Sequence, residues 1–590
     1  MLQQALRVAV LTLISASFAL AQSAAPLIER GVAMKTRDGV TLRADIYRPA
    51  GDGPFPVLLT RTPYNKSFMA PIGMEGASRG FMMVLQDTRG RYASEGEWYP
   101  FKHEIDDGYD TVEWAAALSH SNGKVGMFSG SYVGATQMLA AIAHPPHLAG
   151  ICPIVTASNY HENWTYQGGA FEQWFNESWT SGLAQDTLNR KIIAASNATV
   201  GENALPLTQY PLFNTHLDPG SPNATQELAP YFLDWLAHPL YDDYWKQWSI
   251  EENYQNIQVP GLEVAAWYDI FLGGSLRNYI GLHNRAGNEE ARNGQHLMVI
   301  IGGHSGNART VGAVDFGPSA PFNENDTILD FYDYLFLGKQ NEFANGKPVK
   351  IFVMGANEWR YEDSWPLERA KETRYLLHSS GNANSSSGSG LLYTGPMEFR
   401  SESPDSFTYD PANPAPTVGG PLCCDSQHLA PGPRDQREVE ARSDVLVYST
   451  PPLEQDLEVT GPVTLDLFAK SSAVDTDFTG KLVDVWPDGK AINLTEGILR
   501  ARFRESPSKA NLIEPGKVYE YKIDLWATSN VFLKGHRIRL EVSSSNFPRF
   551  DRNLNTGKSA AASSAFVKAT NTILHDAQHP SALILPVIPQ

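Results

Sequence analysis

The sequence predicts an α/β protein with an inserted helical cap and a C-terminal β-sandwich domain. Between residues 28 and 150, short apolar runs typical of buried strands alternate with segments of helical spacing, which indicates a mainly parallel sheet covered on both faces. Residues 155–255 interrupt this alternation with a stretch rich in Trp, Tyr and Asn. After residue 365, runs with period-two alternation are separated by Gly, Pro, Asp and Asn turns, as in all-β sandwiches.

The α/β part can be followed element by element. GVTLRADIYRP alternates with period two, and PFPVLLTRTPYNK and GFMMVLQDTRG are apolar runs that end in polar loops. DGYDTVEWAAALSH has helical spacing and KVGMFSGS is the next apolar run, followed by a helix that ends near His144, where two prolines come next. The strand pattern returns beyond the cap in VPGLEVAAWYD and QHLMVIIGGHS.

The last part of the chain contains the period-two runs VTGPVTLDLFAKSS, FTGKLVDVWPDG, KVYEYKIDLW and HRIRLEVSSS, which follow a flexible turn region, SSGNANSSSGSG. From these changes in character we expect a signal peptide at 1–21, the first part of the core at 22–154, the cap at 155–255, the second part of the core at 256–364 and the β domain at 365–590.

The N-terminus has the three parts of a secretory signal peptide. MLQQALR carries one positive charge, VAVLTLISASFAL is a short apolar stretch, and Ala19-Leu20-Ala21 is a small-x-small cleavage pattern. The alternative is a buried N-terminal helix. We expect cleavage after Ala21 and export to the extracellular space or the periplasm.

Composition narrows the class of protein. Apolar residues make up 42% and charged residues 19% of the 590 residues, as in globular proteins, and the net charge of −18 argues against nucleic acid as a partner. No later stretch has the roughly 20 uninterrupted apolar residues of a membrane span.

No CxxC, HExxH or Cys/His cluster indicates a metal. N-x-S/T patterns, which would be glycan sites only in a eukaryotic host, recur along the chain, as at Asn163, Asn176, Asn197, Asn223 and Asn325.

Cysteine usage points to stability from packing. The chain has three cysteines, Cys152, Cys423 and Cys424. Neighbouring cysteines pair with each other only with strain, so three cysteines imply no disulfide framework.

The segment VGMFSGSYVGATQ contains the strongest signal for chemistry. An apolar strand stops at Ser131 and a helix begins at once, with small residues on both sides, which is typical of a nucleophile elbow. Such a turn lifts the serine hydroxyl above the sheet and aims the free N–H groups of the helix N-terminus at any negative charge that forms there. Glycine usually stands two residues before the serine, where this chain has Ser129. The alternative is an ordinary strand-to-helix connection.

A serine nucleophile needs a base, and in this architecture an acid and then a histidine follow it on loops after strands. WYD ends one apolar run at Asp269, and GGHS ends the next at His304. Position decides among the fifteen histidines, because the others lie away from these strand ends. For both residues the alternative is a capping Asp or a loop His without a catalytic role.

The oxyanion formed in acyl transfer needs hydrogen-bond donors. The backbone N–H of Tyr132, directly after the proposed nucleophile, is one candidate. The loop after the PVLL strand offers a second in Tyr64, whose hydroxyl could donate into the site, although exposed loop tyrosines are common.

Several motifs together resemble a known family. RTPYNK, QDTRGRYASEG, the G-S-Y-x-G elbow, AAWYDIFLGG and GGHS occur in this order in the peptidase family S15 and cocaine esterase group, and GPRDQREVEARSDVLVYSTPPL is similar to the start of that group's C-terminal β domain. The resemblance extends from about residue 28 to the end. It implies an α/β-hydrolase core, a helical cap and a jelly-roll domain, with no cofactor.

By position, the resemblance makes Ser131 the nucleophile, Asp269 the acid and His304 the base, with Tyr64 and the Tyr132 amide as the oxyanion hole. It also implies that Phe271 lines the acyl pocket. Asp87 and Arg89 match a D-x-R-G signature, for which we expect a structural role in bracing the site loops.

The substrate pocket is expected to be aromatic. TYQGGAFEQWFNESW is rich in aromatic residues, most of which should be core and the rest a roof over an acyl pocket. The tryptophans that we assign to substrate binding are Trp164, Trp174 and Trp267. The segment DIFLGG, which begins at the predicted acid, lacks the further carboxylates with which amino ester hydrolases of this group hold the ammonium of the substrate. The GGHS segment also departs from the family pattern, because no tryptophan stands shortly before its histidine.

The leading hypothesis is a secreted serine hydrolase that cleaves small carboxylic esters through an acyl-enzyme. The alternative within enzymes is an acylase or an X-Pro dipeptidyl-peptidase-like enzyme that cleaves amides. A carbohydrate- or surface-binding protein with an inactive core is the alternative from another class, and the presence of all three triad candidates argues against it. The sequence specifies neither the natural substrate nor the oligomeric state.

Overall fold

The computed structural model describes residues 25–192, 228–304, 308–395 and 402–589. The predicted signal peptide and the middle of the predicted cap lie outside these residues. Within the ranges that the structure describes, every helix is too short or too polar to reach across a lipid bilayer.

The first half of the chain folds around a large sheet. Its strands, with two small hairpins, are β1 (Leu27–Lys35), β2 (Thr41–Arg48), β3 (Phe55–Thr62), β4 (Met82–Asp87), β5 (Ser121–Gly130), β6 (Leu148–Ile154), β7 (Tyr166–Gln167), β8 (Ala170–Phe171), β9 (Gly261–Tyr268), β10 (Gln295–Gly303), β11 (Thr310–Val311), β12 (Val314–Asp315), β13 (Val349–Val353) and β14 (Glu358–Glu362). Ten of them form one sheet in the order β1-β2-β4-β3-β5-β6-β9-β10-β13-β14.

The helices lie on the faces of this sheet, in the cap and in the C-terminal domain. They are α1 (Ala70–Arg79), α2 (Glu104–Ala116), α3 (Tyr132–Ile142), α4 (Gln173–Ile192), α5 (Pro230–Ala237), α6 (Asp243–Lys246), α7 (Leu272–Arg285), α8 (Glu289–Asn293), α9 (Glu324–Leu337) and α10 (Arg437–Glu440). Short 3₁₀ turns occupy Lys66–Met69, Tyr254–Asn256, Glu342–Asn345 and Ala501–Phe503.

The centre of the first sheet is parallel. From β4 through β3, β5, β6, β9 and β10 to β13, each neighbouring pair runs in the same direction, while β1, β2 and β14 are antiparallel at the edges. The central strands are buried on both faces because helices cover the sheet on each side, which explains their continuous apolar runs. The loops after the parallel strands therefore open at one common edge.

The C-terminal domain is a second, largely antiparallel sheet structure. Its strands are β15 (Lys371–His378), β16 (Leu391–Tyr393), β17 (Asp405–Tyr409), β18 (Leu446–Ser449), β19 (Leu457–Ser471), β20 (Asp477–Val485), β21 (Ala491–Arg500), β22 (Tyr519–Phe532), β23 (Arg537–Ser543), β24 (Ala569–Leu574) and β25 (Ala582–Val587). The four period-two runs coincide with β19, β20, β22 and β23. The segment between β15 and β16 is the predicted turn region.

The described part of the cap joins the core and the C-terminal domain. Helix α4 begins beside the β domain, where the N–H of Trp174 donates to the carbonyl of Pro548 (3.0 Å). Farther along, the Ser178 hydroxyl donates to the carbonyl of Cys423 (3.4 Å). Cys423 and Cys424 form a disulfide, a pairing that the sequence left open, and Cys152 is a free, buried thiol.

Burial also bears on the possible glycan sites. Asn163 is 2% exposed and Asn176 is fully buried, so in this fold neither amide is open to a glycan. Asn325 is half-buried and donates to the Glu75 carboxylate (3.2 Å). Asn197 and Asn223 lie outside the described residues.

Candidate active site

Ser131 stands at the sharp turn between β5 and α3. Its backbone has φ 61° and ψ −130°, a conformation that residues with a side chain rarely adopt. Its N–H donates to the carbonyl of Ile154 in the neighbouring strand β6 (2.8 Å). Gly134 allows helix and sheet to approach, because a Cβ there would lie 2.8 Å from the Cβ of Thr156. The turn therefore presents the serine hydroxyl at the carboxyl edge of the sheet.

Ser129 takes the backbone conformation of the glycine that it replaces. Its φ is 97°, in the left-handed region that favours glycine. The Gln137 side-chain amide donates to its carbonyl (2.8 Å), which holds the turn against the second helical turn of α3. The elbow geometry is thus formed with a serine at this position.

Asp269 and His304 follow the adjacent strands β9 and β10 and meet Ser131 at the same edge. The Nδ1 atom of His304 lies 2.6 Å from Oδ2 of Asp269, and its Nε2 atom lies 2.8 Å from Oγ of Ser131. The other Asp269 oxygen accepts the N–H of Phe271 (2.7 Å). Because a carboxylate can only accept, Nδ1 carries the ring proton and Nε2 is free to accept the serine proton.

Tyr64 and the backbone of Tyr132 flank the serine hydroxyl. Burial raises the pKa of Tyr64 above its usual value, and contacts with Trp179, with the Ser131 side chain and with the Tyr132 N–H act in the opposite direction. The indole N–H of Trp179 donates to the Tyr64 oxygen (2.9 Å). The Tyr64 hydroxyl thus interacts with the Ser131 side chain and with the Tyr132 N–H, the other donor of the predicted oxyanion hole.

The phenol of Tyr132 points away from this edge into the core. Its oxygen accepts the N–H of Phe101 (2.7 Å) and donates to Oε1 of Glu104 (3.1 Å). The other Glu104 oxygen accepts from the fully buried Arg61 (2.6 Å). Burial raises the pKa of Glu104, which Arg61 partly counteracts. This network anchors the start of α3 and so the amide that follows Ser131.

The D-x-R-G signature braces the loops of the site. The Asp87 carboxylate accepts hydrogen bonds from the backbone N–H and the ammonium of Lys66 (2.8 and 3.2 Å). These bonds fix the loop that carries Tyr64. Arg89 forms bidentate contacts with Asp107 (2.6 and 2.9 Å) and with Asp38 (2.7 and 3.0 Å). These contacts match the structural role expected for both residues.

Arg91 is a further loop residue, one that we did not single out from the sequence. Its side chain is 1% exposed. Nε donates to the carbonyl of Pro63 (2.9 Å), and Nη1 donates to the carbonyl of Leu183 in α4 (3.0 Å). One guanidinium therefore links the residue before Tyr64 to the cap helix. Spacing in the sequence carries no sign of this contact, because the cap is remote from the loop along the chain.

Aromatic rings form a wall beside the histidine. Trp164 stacks on Phe271 with ring centroids 4.4 Å apart and planes 10° from parallel. The Phe271 ring meets His304 edge to face at 5.2 Å and Phe175 at 5.3 Å. Phe271 thus lies next to His304, and Trp164 and Phe175 pack against Phe271; a role of Phe271 and Trp164 in substrate binding stays a prediction.

The other two assigned tryptophans are placed differently. Trp267 is 2% exposed and packs near Trp365 (5.8 Å) in the core that the sheet shares with the C-terminal domain, where its N–H donates to the carbonyl of Phe352 (2.8 Å). We therefore correct its assignment from pocket to core. Trp174 is half-buried at the start of α4, where its backbone N–H donates to the β domain.

Models of two protein families match the chain. The X-Pro dipeptidyl-peptidase (S15 family) model matches residues 38–306, and the X-Pro dipeptidyl-peptidase C-terminal non-catalytic domain model matches residues 341–584. A cocaine esterase from Rhodococcus sp. (strain MB1 Bresler) is 39% identical over 588 residues, which cover 95% of this chain and 98% of the esterase. The chain belongs to the S15 peptidase and cocaine esterase family. It is accordingly a hydrolase of the serine esterase type.

Solved structures have the same fold over nearly the whole chain. An aminopeptidase from the marine sediment archaeon Thaumarchaeota archaeon has a TM-score of 0.78 and 25% identity, covering 96% of this chain and 97% of that one. An α-amino acid ester hydrolase has a TM-score of 0.77 and 24% identity, covering 98% and 100%. The predicted α/β-hydrolase core with a C-terminal β domain is thereby confirmed.

Proposed function

We propose that this member of the family hydrolyses carboxylic esters through Ser131, His304 and Asp269. The observation that carries the proposal is the continuous hydrogen-bond chain from Asp269 Oδ2 to His304 Nδ1 (2.6 Å) and from His304 Nε2 to Ser131 Oγ (2.8 Å). These distances fall in the range in which a base can take a proton from a nucleophile. The 39% identical cocaine esterase supports an ester as the substrate.

In the first step Ser131 Oγ attacks the ester carbonyl carbon while its proton moves to Nε2 of His304. The carbonyl oxygen becomes an oxyanion and accepts hydrogen bonds from the Tyr64 hydroxyl and the Tyr132 N–H. Asp269 holds the ring in the right tautomer and stabilises the imidazolium. The tetrahedral intermediate then collapses, the C–O bond to the alcohol breaks, and the alcohol leaves with the proton from Nε2.

Water completes the cycle. It attacks the acyl carbon and transfers a proton to Nε2 of His304, and the second tetrahedral intermediate releases the carboxylic acid as Ser131 takes the proton back. All proton transfers run through one imidazole.

The acyl group is proposed to be apolar or aromatic. Phe271 meets the His304 ring edge to face and Trp164 stacks on Phe271, so two aromatic rings lie near the proposed base. The segment after Asp269 reads Ile-Phe-Leu-Gly-Gly and offers no carboxylate for a substrate ammonium.

Amide cleavage is the second candidate, supported by the match to a peptidase family and by the aminopeptidase of the same fold. Secretion after cleavage behind Ala21 remains part of the proposal, and N-terminal sequencing of the exported protein would test it.

The decisive experiment compares 4-nitrophenyl esters with matched 4-nitroanilides on the wild type and on Ser131→Ala. We expect the variant to lose at least about a thousandfold in kcat, because a triad without its nucleophile retains only binding and oxyanion stabilisation. Ser129→Ala is the matched control, since it removes a hydroxyl from the same turn, and it should stay within about threefold of wild type. Near-wild-type turnover by Ser131→Ala would refute the mechanism, and faster anilide than ester turnover would favour the amidase.

A further inference from the structure

The Tyr64 hydroxyl receives a hydrogen bond from the cap. The indole Nε1 of Trp179, in α4, lies 2.9 Å from the phenol oxygen. An indole N–H can only donate, so the phenol oxygen must be the acceptor in this bond. The Tyr64 proton therefore cannot point toward Trp179.

Two further groups that interact with the phenol oxygen bear on where its proton points. They are the Tyr132 N–H, which is also a donor, and the Ser131 side chain. With N–H groups on two sides, the Tyr64 O–H is directed to the side of Ser131, where the oxyanion would form. Burial raises the pKa of Tyr64, so the hydroxyl keeps its proton at neutral pH and stays a donor.

The indole itself is rigidly held. Its ring is 5% exposed and lies among four aromatic rings, at centroid distances of 5.5 Å from Trp164, 5.9 Å from Tyr132, 6.0 Å from Phe175 and 6.1 Å from Trp235. Such packing restricts rotation of the indole and so the direction of its N–H.

A second bond fixes the cap helix to the same loop. Arg91 spans from the carbonyl of Pro63, the residue before Tyr64, to the carbonyl of Leu183, one turn after Trp179. The loop and the helix are therefore joined at a second point. Three directed hydrogen bonds link them, one from Trp179 to Tyr64 and two from Arg91, in addition to apolar contact.

We propose that Trp179 is a positioning residue for the oxyanion hole, which orients the Tyr64 hydroxyl toward the reacting carbonyl oxygen and strengthens it as a donor. The inference rests on the proposed function of Tyr64. A hydroxyl that accepts a hydrogen bond is polarised and donates more strongly, and the effect matters most when the acceptor gains negative charge. The cap thus contributes to the chemical step as well as to the shape of the pocket.

The test is a double-mutant cycle of wild type, Trp179→Phe, Tyr64→Phe and the double variant, assayed on a 4-nitrophenyl ester. Tyr64→Phe removes an oxyanion donor and should lower kcat about 10²- to 10³-fold. Trp179→Phe keeps an aromatic ring but loses the N–H, and we expect kcat to fall about tenfold or more while KM changes less than about threefold. In the Tyr64→Phe background the same change should cost less than about twofold.

Trp235→Phe is the matched control. Trp235 stacks on Trp179 and is fully buried, but its N–H makes no bond to Tyr64 in the described part of the chain. The control should lower the unfolding temperature about as much as Trp179→Phe and leave kcat within about threefold. Turnover is expressed per folded molecule, from near-ultraviolet circular dichroism, so that partial unfolding is not read as lost catalysis.

The outcomes separate this inference from the proposed function. An equal loss for Trp179→Phe in both backgrounds, or an equal loss of kcat in Trp235→Phe, would overturn the positioning role and leave a packing role. Wild-type kcat in Trp179→Phe together with a large loss in Tyr64→Phe would overturn the positioning role alone. Wild-type kcat in Tyr64→Phe would remove the premise that Tyr64 serves the oxyanion hole.

Discussion

Replacing Asp269 by Asn tests whether the carboxylate sets the tautomer of His304. The two oxygens of Asp269 have different partners: Oδ1 accepts the N–H of Phe271 (2.7 Å) and Oδ2 faces Nδ1 of His304 (2.6 Å). An amide has one oxygen and one NH₂ group. If the oxygen stays with the Phe271 N–H, the NH₂ faces Nδ1 and can only donate to it.

In that arrangement the ring proton moves to Nε2, which then points a hydrogen at the Ser131 hydroxyl and cannot act as a base. The flipped amide would restore the tautomer but would set its NH₂ against the Phe271 N–H. Leaving that fully buried N–H without an acceptor costs about 1–3 kcal/mol, so the wrong tautomer is favoured. A bias of this size accounts for about 5- to 160-fold, and the neutral amide also no longer stabilises the imidazolium. Together we expect a loss of about 10⁴-fold in kcat, the scale of this change in other serine triads, equal to about 5.5 kcal/mol of transition-state stabilisation.

The assay is steady-state hydrolysis of a 4-nitrophenyl ester by wild type, Asp269→Asn, Ser131→Ala and the double variant. Triad members act as a unit, so the double variant should be no slower than Ser131→Ala within about threefold. A kcat within tenfold of wild type in Asp269→Asn, or losses that multiply in the double variant, would refute the role of Asp269 in orienting the base.

Two further predictions concern stability. Glu263, in β9, is fully buried, neither of its oxygens has a hydrogen-bond partner in the described residues, and burial raises the pKa of its carboxyl well above the usual value. The native state therefore keeps a proton that the unfolded chain releases above about pH 4.3, and the free energy of unfolding falls as pH rises by up to about 1.4 kcal/mol per pH unit because of this group. Urea titrations from pH 5 to 8 should show a smaller decline of this free energy in Glu263→Gln than in wild type. Parallel declines in the two proteins would contradict this. Ser129→Gly should raise the thermal midpoint of unfolding, because glycine adopts a φ of 97° without strain. The expected net gain in the free energy of unfolding is about 1 kcal/mol, after the larger entropy of the unfolded glycine is subtracted. An unchanged or lower midpoint would show that the strain is absent.

The convergence of Ser131, Asp269 and His304 could be anticipated because each ends an apolar run in a predicted parallel sheet. Carboxyl ends of parallel strands share one edge, so residues 35 and 173 positions apart can meet there without any local signal that links them. Tyr64 could be placed by the same reasoning, since it follows strand β3. The order of the family motifs along the chain then agreed with the order of the predicted strands that they follow.

The face to which Trp267 points could not be predicted in this way. All eight residues of β9 are buried, so the strand has no alternation of polar and apolar side chains from which its two faces can be told apart. Its side chain enters the core shared with the C-terminal domain. An aromatic residue two positions before a site residue is therefore weak evidence for a pocket when the strand is buried on both sides.

The contacts between the cap and the loops were beyond sequence reasoning for a different reason. Trp179 and Tyr64 are 115 residues apart and Arg91 and Leu183 are 92 apart, and neither pair belongs to a periodic pattern. Yet α4 is also bonded to the β domain through Trp174, whose N–H reaches the carbonyl of Pro548. Because one helix carries the donor to the proposed oxyanion hole and is held from both domains, a change at the interface with the β domain should alter the orientation of the Tyr64 hydroxyl, and so kcat, before it alters the triad itself.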